Sequence, residues 1–506
     1  VRSLAATLGF YAQNDWRVSS KLTLNLGLRW DIDQPRHEGI NNQQNSFDQN
    51  ATNPVCNCPG AMAWSGRNGR SIYAHNYDWN NFGPRFGFAY RATDKWVIRG
   101  GAAIVYTGQY DQASPLSVRL GFSTRGDYIS PDGGRTAAFL LRNGVPAIPT
   151  PSESGLVPGF GAVAIGQNPN LSVEFFEPSG RVVPYLIQSN LNIQRQLSRN
   201  MIVEIGYLGA QGRKLVAPGT RSINQVRQEL IRPGNVQALR PYPQYSDVRV
   251  VQPTIGNSNY HGMNVKVDRR MTNGLQFGFN YTWSKAFDDI ESRNELGGNA
   301  GDNAFANQYD RRSDKGLSGN HVLHRAIGNM VWELPVGKGK PLNIESRAAN
   351  LLVGGWSAGL ILEARTGSPF GVIENNAATV YPTAATVRSN ATGPYQVNPN
   401  WRSNVLAEPY FVTSTFTQPA FGTFGNLGRT VAIGPGALIG DLSILKDFAV
   451  TETYRLQFRC EMLNFMNRPN FNLPAQARGN PAFGRVNSLI DGNQARIIQL
   501  GLHYRF

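Results

Sequence analysis

Cysteine, charge and long apolar runs are all scarce in this sequence. Three Cys occur among 506 residues. Cys56 and Cys58 stand two apart in an Asn/Pro-rich stretch, and Cys460 lies in an alternating segment. Two thiols without a nearby His pair or second Cys pair make a poor zinc site, which leaves a strained local disulfide or two free thiols. Charged residues reach 16%, against about 25% in ordinary soluble proteins. No run of about 18 consecutive apolar residues exists, so no transmembrane helix is available. The longest candidate, Leu351 to Ala364, is broken by Gly354, Gly355, Gly359 and Glu363. A membrane, if there is one, must be crossed by strands.

Gly, Asn and aromatic residues are plentiful instead, with 54 Gly and 10% aromatics. The formal charge is +15, but Lys and Arg are scattered singly rather than gathered on one face. That scatter argues against nucleic acid and favours phosphorylated lipid headgroups as the anionic partner.

Period-2 alternation recurs along the chain. In Lys21–Asp33, Leu22, Leu24, Leu26, Leu28, Trp30 and Ile32 alternate with Thr23, Asn25, Gly27, Arg29 and Asp31. In the segment from Leu275, Phe277, Phe279, Tyr281 and Trp283 alternate with Gln276, Gly278, Asn280 and Thr282. Counting weaker cases gives roughly thirteen strands, each near the length of a tilted membrane strand. Short turns, such as Val18–Ser20, Ala92–Asp94 and Thr272–Asn273, take turns with long polar loops: Gln34–Asp78, Gly108–Arg181, Gly212–Ser258, Lys285–Gly319, Gly367–Gly440 and Asn467–Asn493. Only Pro335–Leu352 breaks the rule, being too long for a tight turn. A soluble β-sandwich would seldom carry loops beyond about 15 residues, least of all with every long one on the same side.

The pattern predicts an all-β, antiparallel transmembrane β-barrel with long extracellular loops and short periplasmic turns. Trp16, Trp30, Tyr90, Trp96, Tyr106, Tyr207, Trp283, Trp332, Trp356 and Tyr504 fall near strand ends, as interfacial girdles require. The first and last strands both run toward the short-turn side. An odd number of strands does not close an even barrel, so residues 1–506 are expected to be the C-terminal part of one with about 22 strands.

Tyr11-Ala-Gln-Asn-Asp-Trp16 followed by Leu22-Thr-Leu-Asn-Leu-Gly-Leu-Arg29 resembles the mid-barrel hairpin of TonB-dependent receptors. Asn81-Phe-Gly-Pro-Arg-Phe-Gly87, Tyr281-Thr-Trp-Ser-Lys285, Gly354-Gly-Trp356, Leu456-Gln-Phe-Arg-Cys-Glu461 and Asn464-Phe-Met-Asn-Arg-Pro-Asn-Phe471 resemble the Oar-like branch, whose members carry an N-terminal carboxypeptidase-regulatory-like domain. The terminal Leu500-Gly-Leu-His-Tyr-Arg-Phe506 resembles the outer-membrane assembly signal, with Leu500, Leu502, Tyr504 and Phe506 as its apolar teeth. The resemblance covers essentially the whole chain. It implies a bacterial outer-membrane location and contact with lipid and lipopolysaccharide. It also implies insertion by the barrel assembly machinery, and active transport or reception of a scarce or large solute. Energy would come from the TonB complex through a plug and N-terminal domain not in this chain. The alternative is a passive channel or a structural or adhesive barrel without energy coupling.

Site chemistry is sparse. No enzyme activity and no cofactor is expected. His321 and His324 are three apart, which in a strand turns them to opposite faces and makes a shared metal improbable. Asp288, Asp289 and Glu291 lack the spacing of a calcium loop and read as solvated. By strand parity Arg29, Arg85, Arg99, Glu363, Arg365, Arg455, Arg459 and Glu461 face the lumen, where they are expected to hydrogen-bond a plug rather than touch substrate. Loop aromatics Phe139, Tyr381, Tyr395 and Trp401 are the candidates for stacking on a ligand.

Overall fold

The computed structural model describes residues 3–40, 42–108, 120–122, 136–147, 155–167, 171–217, 220–290, 305–384, 386–449 and 455–505. Among these residues, thirteen long strands follow one another in chain order along one sheet. They are β1 Thr7–Arg17, β2 Leu22–Asp33, β3 Phe82–Arg91, β4 Trp96–Tyr106, β5 Tyr185–Ser198, β6 Met201–Leu215 and β7 Gly256–Thr272. After these come β8 Leu275–Asp288, β9 His324–Glu333, β10 Trp356–Arg365, β11 Ala437–Ala449, β12 Arg455–Leu463 and β13 Ile497–Arg505. Every neighbour along this path is antiparallel. The sheet is open: β1 and β13 are its two edges and do not pair.

Register makes one face continuous. Leu24 lies between Trp16 and Phe88, Val265 between Ile205 and Tyr281, and Cys460 between Ile444 and Leu500. Because directly opposed residues share a face, the apolar set of each strand meets that of the next across all thirteen. This face is bare. Leu28 is 50% exposed, Trp283 51% and Leu500 67%. Water would penalise such a surface by roughly 25 cal/mol per Å²; hydrocarbon does not. On β4, Trp96 and Tyr106 bracket the apolar face ten residues apart. At about 3.3 Å per residue and a tilt near 40°, that is about 25 Å along the membrane normal, the height of a barrel's lipid band.

The turns on one side are tight. Between β7 and β8, Asn273 (φ 53°) and Gly274 (φ 75°) sit between the paired residues Thr272 and Leu275. Two central residues with positive φ make the twist that an antiparallel pair needs, which is why Asn-Gly stands there. The long connection after β9 holds α1, Arg347–Val353, started by the Ser346 hydroxyl accepting from Ala349 N at 3.3 Å. Leu351, Leu352 and Val353 of α1 are exposed beside Trp356, whose Nε1 donates to Leu352 O at 3.0 Å.

The buried core lies elsewhere, in the long loops. One cluster joins Phe47, Met62 and Trp64, Val173 and Phe175, and Tyr245, Val248 and Val250, drawing on three loops. Asn45–Asn53 and Cys58–Trp64 form its hairpin, and Thr220–Ser222, Asp247–Val251 and Ser172–Phe175 form a three-stranded sheet. A second cluster gathers Phe370, Val372, Trp401, Tyr410, Phe411, Phe416, Ala432 and Val486 from the last two long loops. The loops therefore fold into a packed cap at one end of the sheet.

Candidate functional site: the polar face and its cap

The face opposite the apolar band is polar, and the register puts the predicted charged residues on it. Arg29 Nε donates to Asp31 at 2.8 Å. Glu363 accepts from Arg325 at 3.0 Å across the β9–β10 pair, with Arg365 3.9 Å away on the same strand. Arg459 Nε donates to Gln457 Oε1 at 2.6 Å, and Gln457 in turn donates to Asp447 at 2.9 Å. Arg85 and Arg99 make no hydrogen bond or ion pair with any described residue, and neither does the Glu461 carboxylate. The Arg455 side chain lies outside the described residues. Partners that sequence parity did not single out are Asp31, Arg325, Asp447 and the Lys266–Asp268 pair at 2.7 Å. For two of them the signal was present: Asp31 lies two residues from Arg29 on the same strand, and Arg325 lies directly opposite Arg365.

Three of the loop aromatics pack within the cap. Tyr381 is fully buried, stacked on Phe424 at 4.2 Å, with its hydroxyl donating to Val226 O at 2.6 Å. Trp401 packs edge-on against Tyr410 and Phe471 at 5.0 and 5.2 Å. Tyr395 lies against Phe370 and Phe411, its hydroxyl donating to Ile433 O at 3.3 Å. Burial raises the pKa of both tyrosines strongly. Tyr381 and Trp401 belong to the cap's cores, and Tyr395 is partly buried against the second. Phe139 is only half-buried.

The acidic loop residues are also engaged rather than solvated. Asp288 is buried and takes the Arg429 guanidinium, while Asp289 accepts from Asn257 N at 2.7 Å and lies 3.3 Å from Arg311. Glu291 lies outside the described residues. A second buried pair, Arg388 with Asp314, and the Arg478–Glu374 pair at 2.6 Å tie the later loops together. Each couples partners far apart in sequence, which hides it from local pattern.

Histidines separate as expected. His321 is buried, its Nδ1 accepting from Ala286 N at 3.3 Å, and burial beside Lys285 lowers its pKa. His324 Nδ1 meets Tyr281 OH at 2.7 Å, and a twin pair, Tyr207 OH and His261 Nδ1, repeats that distance. Among the described residues no cluster of three metal-ligating side chains occurs. Gly355-Trp-Ser-Ala-Gly359 has the spacing of a nucleophile elbow, but Ser357 sits inside β10, opposite Glu333 and Leu445, rather than at a strand-to-helix turn. Cys56 and Cys58 are joined as a disulfide with Cα atoms 5.2 Å apart, and Cys460 is free on the apolar face. Of the terminal teeth, Leu500, Leu502 and Tyr504 stand exposed on the apolar face, and Phe506 lies outside the described residues.

A family model for the outer membrane beta barrel domain matches residues 2–499. The chain belongs to this outer-membrane β-barrel family. The apolar face is then the lipid face, the polar face the barrel interior, and the location the bacterial outer membrane. Pyoverdine-bound FpvA of P. aeruginosa is 8% identical to the barrel chain with a TM-score of 0.43, over 99% of this chain and 38% of its own. The siderophore receptor PiuA of Acinetobacter baumannii is 9% identical with a TM-score of 0.40, over 99% and 43%. The FrpB iron transporter of Neisseria meningitidis is 12% identical with a TM-score of 0.41, over 99% and 45%. The barrel chain spans less than half the length of these solved proteins. No curated protein matches it.

Proposed function

We propose that this barrel belongs to an outer-membrane active transporter or receptor for a scarce or large extracellular solute. The observation that carries the reading is the interior face. Arg85, Arg99 and Glu461 stand there without a partner among the described residues, beside exposed ion pairs such as Arg325–Glu363. In a wet interior such pairs are worth only about 0–1 kcal/mol, so they break and remake cheaply. Unmatched charges of both signs suit a separate element seated inside the barrel, a plug that docks on them and is released. The open edges of β1 and β13 support further strands closing the barrel, because unpaired backbone groups cost several kcal/mol each in lipid. Energy coupling through TonB and the Oar-like assignment belong to the same proposal.

The test is solute uptake by a strain lacking the gene, complemented with or without a functional TonB complex. Uptake that needs both supports the reading. Uptake that persists without TonB identifies a passive channel instead.

A further inference from the structure

One cavity of the cap is unlike its surroundings. It holds about 610 Å³ between the loop joining β6 to β7 and the loop following β8, a volume suited to a small ligand. Arg221, Arg227, Arg240, Tyr242, Gln308 and Tyr309 line it, and among the described residues no Asp or Glu does.

Several other arginines of the cap are neutralised by a carboxylate. Arg249 pairs with Asp247 at 2.7 Å, Arg311 with Asp289 at 3.3 Å, Arg478 with Glu374 at 2.6 Å, and Arg388 and Arg429 with Asp314 and Asp288. None of the three cavity arginines has an ion pair with a described residue. Arg221 makes no side-chain hydrogen bond to a described residue either, and its Nε is buried without a partner among them. Arg227 lies over the Tyr309 ring at 4.3 Å. Arg240 donates to Gln237 Oε1 at 2.9 Å and Asn224 O at 2.8 Å, neutral acceptors that aim the guanidinium without cancelling its charge. Asp247, the carboxylate whose field reaches Arg240, is itself held by Arg249 and by the Ser222 hydroxyl at 2.5 Å.

Three guanidiniums around one cavity repel each other, and an unpartnered N–H in it costs about 1–3 kcal/mol. Both penalties vanish when an anion enters, because a guanidinium fork matches carboxylate and phosphate oxygens two at a time. We propose that this cavity binds a small polyanion bearing two or more carboxylate or phosphate groups, held by Arg221, Arg227 and Arg240 between the Tyr242 and Tyr309 rings. A free anion and the phosphates of lipopolysaccharide present the same chemistry. The inference rests on the receptor reading only for the loops facing outward.

Binding of citrate, pyrophosphate and purified lipopolysaccharide is measured by calorimetry on the full chain folded in detergent, with no transport involved. Saturable binding of at least one probe is expected, weakening with added salt. Arg221→Gln with Arg227→Gln should weaken it by at least about tenfold. Arg312→Gln, an exposed arginine of the same cap, should leave it unchanged. Gel mobility without heating confirms that each variant is folded. Loss of citrate or pyrophosphate binding identifies a soluble ligand, and loss of lipopolysaccharide binding alone identifies the lipid. No saturable binding by the wild type, or equal loss in Arg312→Gln, overturns the inference while leaving the uptake experiment to judge the transporter reading by itself.

Discussion

Tyr245 is fully buried in the first cap cluster, its hydroxyl accepting from Asn53 Nδ2 at 3.0 Å. Burial pushes its pKa up from 10.0 to about 12. A phenol whose folded pKa is raised contributes its stability in full below the unfolded value, and loses it as pH climbs through the folded one. Tyr381 and Tyr395 are raised for the same reason. We therefore expect the cap to open in alkali between about pH 10 and pH 12, seen as tyrosinate absorbance rising together with loss of cap fluorescence. Tyr245→Phe, whose ring still fills the site while Asn53 keeps its bond to Gly60 O at 3.2 Å, should move the opening to higher pH. An unchanged midpoint would show that this phenol does not set it.

A strand of this sheet is governed by parity, and adjacent residues of β11 test it directly. Leu442 lies on the lipid face between Leu360 and Met462, and Ser443 on the interior face between Gly359 and Glu461. Leu442→Arg should cost about 2–4 kcal/mol of stability in a bilayer, while Ser443→Arg, which gains Glu461 as a neighbour, should cost little. Denaturant titration in lipid vesicles measures both, and equal costs would contradict the assigned faces. Parity was legible in the sequence because it is local: each strand announces its two faces within ten residues, and Asn273-Gly274 announces its own turn. The cap was not legible. Phe47 meets Tyr245, and Arg429 meets Asp288, across separations of 198 and 141 residues that no short-range pattern encodes. Tyr381 and Trp401 consequently looked like surface aromatics when they are core. The connection after β9 lies between these cases: its length marked it as more than a turn, but the helix capped by Ser346 was not read from it.

As a whole the molecule is built for two solvents. Its sheet exposes a continuous apolar face, while its cap buries its apolar residues in packed clusters. Stability of the two parts then has separate sources: lipid and strand pairing for one, hydrophobic burial in water for the other. Arg388→Met leaves the Asp314 carboxylate buried without its partner, a loss of about 3–5 kcal/mol that should fall on the cap alone. Heating in detergent should show cap fluorescence melting earlier in this variant while the strand signal in circular dichroism stays where it was. A joint shift of both would mean that cap and sheet unfold as one unit.

The period of two in each spanning strand also decides which of two bilayers the chain enters. Insertion of helices during export responds to sustained hydrophobicity over about 19 residues, and here polar side chains and glycine interrupt the apolar series, as in Leu22–Asp33. The inner membrane therefore finds no segment worth retaining and lets the polypeptide through. Only when strands pair and rotate their leucines and aromatics to one side does a lipid-compatible surface exist, and by then the chain has reached its own membrane.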